Sequence, residues 1–179
     1  GGRSAYANAG RTERSGVELS LGAQWAQRFD VVLGATALHA VTLDSYLTCT
    51  AAPCTVASTR IAAGNRVAGV APWQFDAELG WRPLAGWRLS LAWRGNDAVP
   101  VDDLNSQSAD AWQTLNAALS VQGRGSASPW QGFVRIDNLA DRRYAGSVIV
   151  NDANGRYFEA APGRTLRMGV SLTLAPRDS

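Results

Sequence analysis

Hydrophobic and polar residues alternate with a period of two along most of this chain. Val17, Leu19, Leu21, Ala23 and Trp25 fall on one side, and Glu18, Ser20, Gly22 and Gln24 on the other. After a turn at 26–28, Phe29, Val31, Leu33, Ala35 and Ala37 form a second apolar row, opposed by a mixed row of Val32, Gly34, Thr36 and Leu38. Phe75, Ala77, Leu79 and Trp81 oppose Gln74, Asp76, Glu78 and Arg82. Trp87, Leu89, Leu91 and Trp93 oppose Arg88, Ser90, Ala92 and Arg94. Leu115, Ala117, Leu119 and Val121 oppose Thr114, Asn116, Ala118 and Ser120. Trp130, Gly132, Val134 and Ile136 oppose Gln131, Phe133, Arg135 and Asp137. Leu166, Met168, Val170, Leu172 and Leu174 oppose Thr165, Arg167, Gly169, Ser171 and Thr173. Successive side chains of a strand point to opposite faces, so the pattern predicts seven strands, each with one apolar face. Residues 3–9 read as the end of another strand. No stretch carries a helical period.

The connections alternate in length. Short ones lie near 26–28, 83–86 and 122–128, and long ones span about 42–70, 95–109 and 140–163. Each strand is roughly long enough to cross a bilayer at a tilt, and short turns on one side with long loops on the other mark a membrane barrel. Trp25, Trp81 and Trp87 fall at the short-turn ends, and Trp73, Trp93 and Trp112 at the long-loop ends. That placement suits aromatic belts at two membrane interfaces. A soluble antiparallel barrel or sandwich also alternates, with its apolar face buried and its polar face wet.

Composition narrows the picture. A chain of 179 residues and 19.0 kDa points to one domain. Hydrophobic residues make up 46%, but the apolar runs are too short for a membrane-spanning helix. The net charge of +2 comes without a basic block, which argues against a nucleic-acid partner. Gly1, Gly2 and Arg3 do not open a signal peptide, as in a mature or truncated chain. Cys49 and Cys54 are the only cysteines and sit in a polar, proline-containing loop. That spacing fits a small disulfide loop in an oxidising compartment, with two free thiols as the alternative. His39 is the sole histidine and is far from both in sequence, so no metal site is expected. No nucleophile elbow or triad spacing appears, so no catalytic residue and no enzyme activity are expected. Asp102 and Asp103 could face a cation but read better as a solvated loop.

The stretch Asn8–Leu19, the strand entry Val70-Ala71-Pro72-Trp73, the run Val134–Leu139 with Asp141-Arg142-Arg143-Tyr144, and the final Pro162-Gly163-Arg164 come in a telling order. Together they resemble the C-terminal part of a TonB-dependent outer-membrane receptor of the ferric-siderophore type, over nearly the whole chain. The resemblance implies an all-β, antiparallel transmembrane barrel segment of about seven or eight strands. Residues 1–179 would form a C-terminal portion of the barrel, without the plug domain, in a bacterial outer membrane. Strand 17–25 would run down to the periplasm and 29–40 back up. The three long connections, and with them Cys49 and Cys54, would lie outside the cell. Such receptors have about 22 strands, which seven cannot close. An open set leaves two unpaired edges, so a fragment of a longer chain is expected. The alternative is a small closed barrel or porin-like protein, using residues 3–9 or 148–158 as an eighth strand. A soluble all-β binding module is the third reading. The family's barrels end on an aromatic residue, whereas this chain ends Leu174-Ala175-Pro176-Arg177-Asp178-Ser179.

The resemblance also assigns roles. No covalent cofactor is implied; a ferric chelate would be the cargo. The partners would be outer-membrane lipid, the plug and remaining strands of the parent chain, and TonB through that plug. Asp76, Glu78, Arg82, Arg88, Arg94, Arg135, Asp137 and Arg167 lie on the polar faces. They would pair across strands in a wet interior and dock the plug. Arg142, Arg143, Tyr144, Arg156, Tyr157 and Phe158 are the loop residues suited to a ligand. Arginine grips acidic groups in a fork, and aromatic rings stack on planar chelates. Asn138 and Asp141 suit the turn that starts this loop. Gly163 would supply backbone freedom before the last strand.

Overall fold

The computed structural model describes residues 10–50, 54–123 and 129–173. The expectations for 3–9, for the turn beyond Gly123, for Leu174 and for the C-terminal tail lie outside those residues. Among the described residues the strands are β1 (Thr12–Trp25), β2 (Phe29–Thr42), β3 (Tyr46–Thr48), β4 (Thr59–Ile61), β5 (Trp73–Trp81), β6 (Trp87–Asn96) and β7 (Val99–Pro100). They continue with β8 (Ser108–Ala109), β9 (Trp112–Gly123), β10 (Trp130–Asp137), β11 (Ala145–Val148), β12 (Phe158–Ala160) and β13 (Thr165–Leu172). The seven long strands form one antiparallel sheet in the order β1-β2-β5-β6-β9-β10-β13. Each is the neighbour of the next long strand in sequence, as a meander of hairpins requires. The sheet is open among the described residues, with β1 and β13 as its edges.

Register keeps the two faces separate across all seven strands. Leu21 lies opposite Leu33, Leu33 opposite Ala77, Ala77 opposite Trp93, and Trp93 opposite Leu115. On β9, β10 and β13 the same face continues through Leu119, Val134 and Met168. Among the described residues this apolar face is not packed against another layer. Val17 is 71% exposed and Val170 83%. The opposite face carries Glu18, Asp30, Asp76, Arg94, Arg135 and Arg167 in the same unbroken register.

Aromatic rings gather at both ends of the apolar face. At the short-turn end Trp25 stacks on Phe29 (5.9 Å between centroids) and Phe29 on Trp81 (6.4 Å). Trp87 and Trp130 open β6 and β10 at that end. At the long-loop end Trp73 stacks on Phe75 (5.7 Å), which meets Trp93 edge-on (4.5 Å). Trp112 departs from expectation. It stands at the long-loop end but in register with Asn96, on the charged face. The alternation of β9 puts even-numbered positions on that side, and Trp112 obeys it.

Three short antiparallel ribbons, β3–β4, β7–β8 and β11–β12, occupy the long connections. The option of a wall strand over 148–158 is therefore corrected. β11 and β12 pair with each other, and the segment between them turns back on itself. The buried apolar cluster sits here rather than on the sheet. Val99, Val101 and Ala109 pack with Ala71 from the first connection and with Ala145, Val148 and Tyr157 from the third. Polar groups bind the same three loops. Arg66 N donates to Asn105 Oδ1 (2.7 Å), and Asn105 Nδ2 donates to Arg66 O (2.9 Å). Asn151 N donates to Val101 O (3.0 Å) and Asp103 N to Asn151 Oδ1 (3.0 Å). Asp103 also accepts from Asn151 Nδ2 (3.0 Å), and Asp102 accepts from Ser106 N (2.9 Å) and Oγ (2.6 Å). Both aspartates thus bind protein groups that shape the loops. The expected Cys49–Cys54 disulfide is formed, with the Cα atoms 5.9 Å apart. At the entrance to β1, Arg11 grips Asp44 through Nε and Nη2 (3.0 and 2.9 Å). Those hydrogen bonds hold the Asp44 carboxyl down to about 2.

The β1–β2 turn is unusual for its sequence. Ala26 and Gln27 both adopt positive φ (51° and 54°), and Arg28 N donates to Trp25 O (3.1 Å). This primed geometry matches strand twist but favours Asn and Gly at the two positions. Ala26→Asn with Gln27→Gly is expected to stabilise the fold by about 1 kcal/mol. The check is the temperature at which the detergent-extracted protein loses its compact, fast-migrating form on an unboiled gel. No gain would mean that the turn is not held left-handed.

Burial, and then the Asp103 carboxylate to which its hydroxyl donates (3.0 Å), push the Tyr46 phenol up to about 12. The folded value lies above the ordinary 10.0, so this contribution to loop stability is full below about pH 10 and is lost as pH rises through about 12. Subtracting the tyrosinate absorbance titration of Tyr46→Phe from that of the native protein should leave a transition near 12. A transition near 10 would sink the Tyr46–Asp103 contact.

Candidate functional site

The charged face divides into two clusters. At the short-turn end, Asp30 on β2 accepts from Arg82, just past β5, and from Arg88 on β6. Arg88 Nη2 lies 2.6 Å from Asp30 Oδ2 and 2.8 Å from Glu78 Oε1. The group is balanced, two guanidiniums against two carboxylates. Its span depends on Gly80, the register partner of Asp30. A Cβ on Gly80 would lie 2.4 Å from Asp30 Oδ2 and 2.6 Å from Arg88 Nη2. Only a glycine leaves room for the ion pair to lie across β5.

At the long-loop end the balance tips. Arg135 on β10 and Arg167 on β13 are directly opposite each other. Like charges in that position repel, and one carboxylate serves both. Asp137 accepts from Arg135 Nε (2.7 Å) and Arg167 Nε (2.8 Å). Arg94 has only a loose partner, Asp76 at 3.7 Å. Arg94, Arg135 and Arg167 line an open cleft of about 420 Å³ together with Asp137, Trp112, Asn116 and Tyr144, three guanidiniums against one carboxylate. The rings of Trp112 and Tyr144 lie 4.4 Å apart at 30°. The cleft therefore offers guanidinium forks beside two aromatic rings, which suits a planar anion.

The loop that carries Tyr144 is fixed by Asn138, which is 3% exposed and has φ of +55°. Its N–H donates to Asn116 Oδ1 (2.8 Å). Its amide donates to Arg142 O (2.8 Å) and Pro162 O (3.4 Å), and its Oδ1 accepts from Arg142 N (2.9 Å). One side chain thus closes the start of the loop onto its end. Asp141 adds a second tie by accepting from Arg164 N (2.7 Å). The role given to Gly163 is corrected. Its φ is not in the left-handed region, and a Cβ there would meet Asp141 Oδ1 at 2.8 Å. Close approach, not backbone freedom, demands glycine.

All eight charged residues picked from the alternation share the charged face, and they fall into these clusters and the Asp76–Arg94 pair. Asp30 was missed, although alternation with Phe29 and Val31 places it there. Trp112, Asn116 and Asn138 were not picked as site residues either. The six loop candidates do not converge. Tyr144 alone lines the charged-face cleft. Arg142 and Arg143 stand with Tyr144 over a recess beside Trp73, Phe75 and Trp93. Tyr157 packs on the loop core, Phe158 is half exposed, and Arg156 N donates to Asp152 Oδ2 (2.7 Å) in a turn. His39 is exposed on the apolar face opposite Ser15.

An antiparallel wall with one apolar and one charged face, and with loops gathered at one end, has the arrangement of a β-barrel wall. Residues 1–171 match the family model described as TonB dependent receptor-like, beta-barrel, and the chain belongs to that family. The family comprises transport receptors rather than enzymes, and its place is the outer membrane. Among solved structures, the siderophore receptor PiuA from Acinetobacter baumannii is 18% identical with a TM-score of 0.73. The match covers 90% of this chain and 21% of that one. The ferric yersiniabactin uptake receptor FyuA from Yersinia pestis is 22% identical with a TM-score of 0.69, covering 91% of this chain and 24% of that one. BauA, the ferric preacinetobactin receptor from Acinetobacter baumannii, is 14% identical with a TM-score of 0.54, covering 90% and 29%. The chain thus spans between a fifth and a third of the receptors it resembles, and at these identities the likeness is one of fold.

Asp30→Asn keeps the shape of the short-turn cluster but takes from Arg82 its carboxylate partner and leaves Arg88 with Glu78 alone. A loss of roughly 1–3 kcal/mol is expected for this half-buried group. Heat-dependent gel migration of the extracted protein reads it, and an unchanged midpoint would show the cluster to be mere decoration.

Proposed function

We propose that the seven long strands are a membrane-crossing part of the wall of a larger outer-membrane uptake receptor, its C-terminal portion. In this reading the apolar face meets lipid and the charged face lines the interior. The long loops lie outside the cell. The observation that carries it is the register: one face stays apolar and the other charged across all seven strands, while the apolar face has no protein layer over it. The aromatic rows at both ends then mark the two interfaces of the bilayer. The edges β1 and β13 pair with further strands of the parent chain, since unpaired backbone in hydrocarbon costs several kcal/mol per group.

The cargo is a ferric siderophore or a similar anionic metal chelate. Arg94, Arg135 and Arg167 hold its acidic groups, and Trp112 and Tyr144 stack on its planar part. The balanced cluster around Asp30 and Arg88 is a docking surface for the plug, through which TonB supplies the energy for release. The siderophore receptor PiuA, the ferric yersiniabactin uptake receptor FyuA and the ferric preacinetobactin receptor BauA share this fold, which supports a siderophore among the candidate cargoes.

In the complete receptor, Arg135→Gln with Arg167→Gln is expected to weaken chelate binding roughly tenfold per arginine, because each loses a charge-assisted hydrogen bond. Cells carrying only this variant should take up radioactive iron, supplied as the chelate, far more slowly at limiting concentration and recover at saturating concentration. Normal uptake in cells from which the receptor gene has been deleted would sink the reading.

A further inference from the structure

Arg142 and Arg143 face away from the cleft proposed for the cargo. They stand over a recess of about 400 Å³ whose floor includes Trp73, Phe75 and Trp93. Those three rings belong to the apolar face and are contiguous. The Trp93 indole N–H is satisfied by Gln113 Oε1 at 3.0 Å, so the floor presents ring surface rather than an unpaired donor. Among the described residues no carboxylate lines the recess. The ion pairs among the described residues engage Arg11, Arg82, Arg88, Arg94, Arg135 and Arg167, and leave Arg142 and Arg143 without an acidic partner. Both are exposed, yet their backbone is not loosely held. Asn138 fixes Arg142 by its N–H and by its carbonyl. Two unpaired guanidiniums are thus pre-placed above an aromatic shelf that continues the lipid-facing wall.

We infer that this recess docks the phosphate-bearing headgroup of an anionic lipid of the outer leaflet, with Arg142 and Arg143 on the phosphate and Trp73, Phe75 and Trp93 against the first part of the acyl chains. The inference rests on the lipid-facing orientation proposed above. Guanidinium forks match phosphate oxygens in pairs. Tryptophan prefers the level of the headgroups, where one side is apolar and the other wet. A free phosphate would use the arginines but leave the rings unused. A chelate in the interior meets the opposite side of the wall, because Trp112 and Tyr144 line both recesses and stand between them. The two arginines therefore anchor the loop to the membrane surface rather than hold cargo.

The test uses the complete receptor in phosphatidylcholine vesicles, with a fixed share of the lipid replaced by dibrominated phosphatidylcholine or by dibrominated phosphatidic acid. Bromine quenches tryptophan only at contact range, and Trp25, Trp81, Trp87 and Trp130 also stand on the apolar face, so the shelf is read as the part of the quenching that Trp73→Phe with Trp93→Phe removes. The native protein should prefer the brominated phosphatidic acid, by roughly fivefold for each arginine. Arg142→Gln with Arg143→Gln should abolish the preference, and Arg142→Lys with Arg143→Lys should restore part of it. Equal quenching by the two lipids, or a preference that survives the glutamine pair, overturns the inference and leaves the barrel reading standing. Absence of quenching by either lipid overturns the barrel reading and the inference together.

Discussion

A strand that slips by one residue turns every side chain to the opposite face, and this constraint governs the molecule. Its sheet has no second layer to correct an error of register. The locks lie on the charged face. Asp30 reaches from β2 across Gly80 of β5 to Arg88 on β6, and Asp137 ties β10 to β13 through Arg167. A slip in any of these strands would put a charged side chain among the apolar residues and leave its partner unpaired. The ion pairs need contribute little to total stability to select the register, since a slipped strand loses every pair it makes with its neighbours.

The same constraint explains where the core went. In most domains a sheet buries its apolar face against another element. Here that face is open, and the buried apolar residues Val99, Val101 and Ala109 lie among the long connections. Three loops that would be separate excursions are joined through Asn105, Asp103 and Asn151 into one body. A body with its own packing and hydrogen bonds can hold a side chain in place far from the sheet. Tyr144 and the two arginines before it are positioned this way, through Asn138 at the junction of loop and wall.

The sequence made the wall legible and left the loops obscure, for physical reasons. A period of two sustained over eight or more residues cannot be mistaken, so all seven long strands and the side taken by Asp76, Glu78 and Arg135 follow from alternation alone. Ribbons such as Val99–Pro100 and Ser108–Ala109 have two residues a side, too few to show a period. They form because the other loops pack on them, which is tertiary information. Asp30 was legible by parity but hidden by the mixed row that follows it, where Val32 and Leu38 blur the contrast. The reason for Gly163 lay in a carboxylate more than twenty residues away and could not be read locally. The same holds for the split among the loop candidates. Arg143 and Tyr144 are adjacent, but only Tyr144 reaches both recesses.

The two charge clusters differ in a way that bears on gating. The one at the short turns is balanced and closes on itself, and under the proposed function the plug must compete with pairs already made. The one at the long loops sets Arg135 directly against Arg167 with one carboxylate between them. Under the proposed function, an anion entering beside Trp112 and Tyr144 relieves that repulsion. Under the proposed function the interior is then graded. It is most receptive to anions where cargo arrives and least where it leaves, so a negatively charged chelate is held at the outer end until the plug moves. A neutral or cationic solute gains nothing from the opposed arginines, and the selection of charge precedes any recognition of shape.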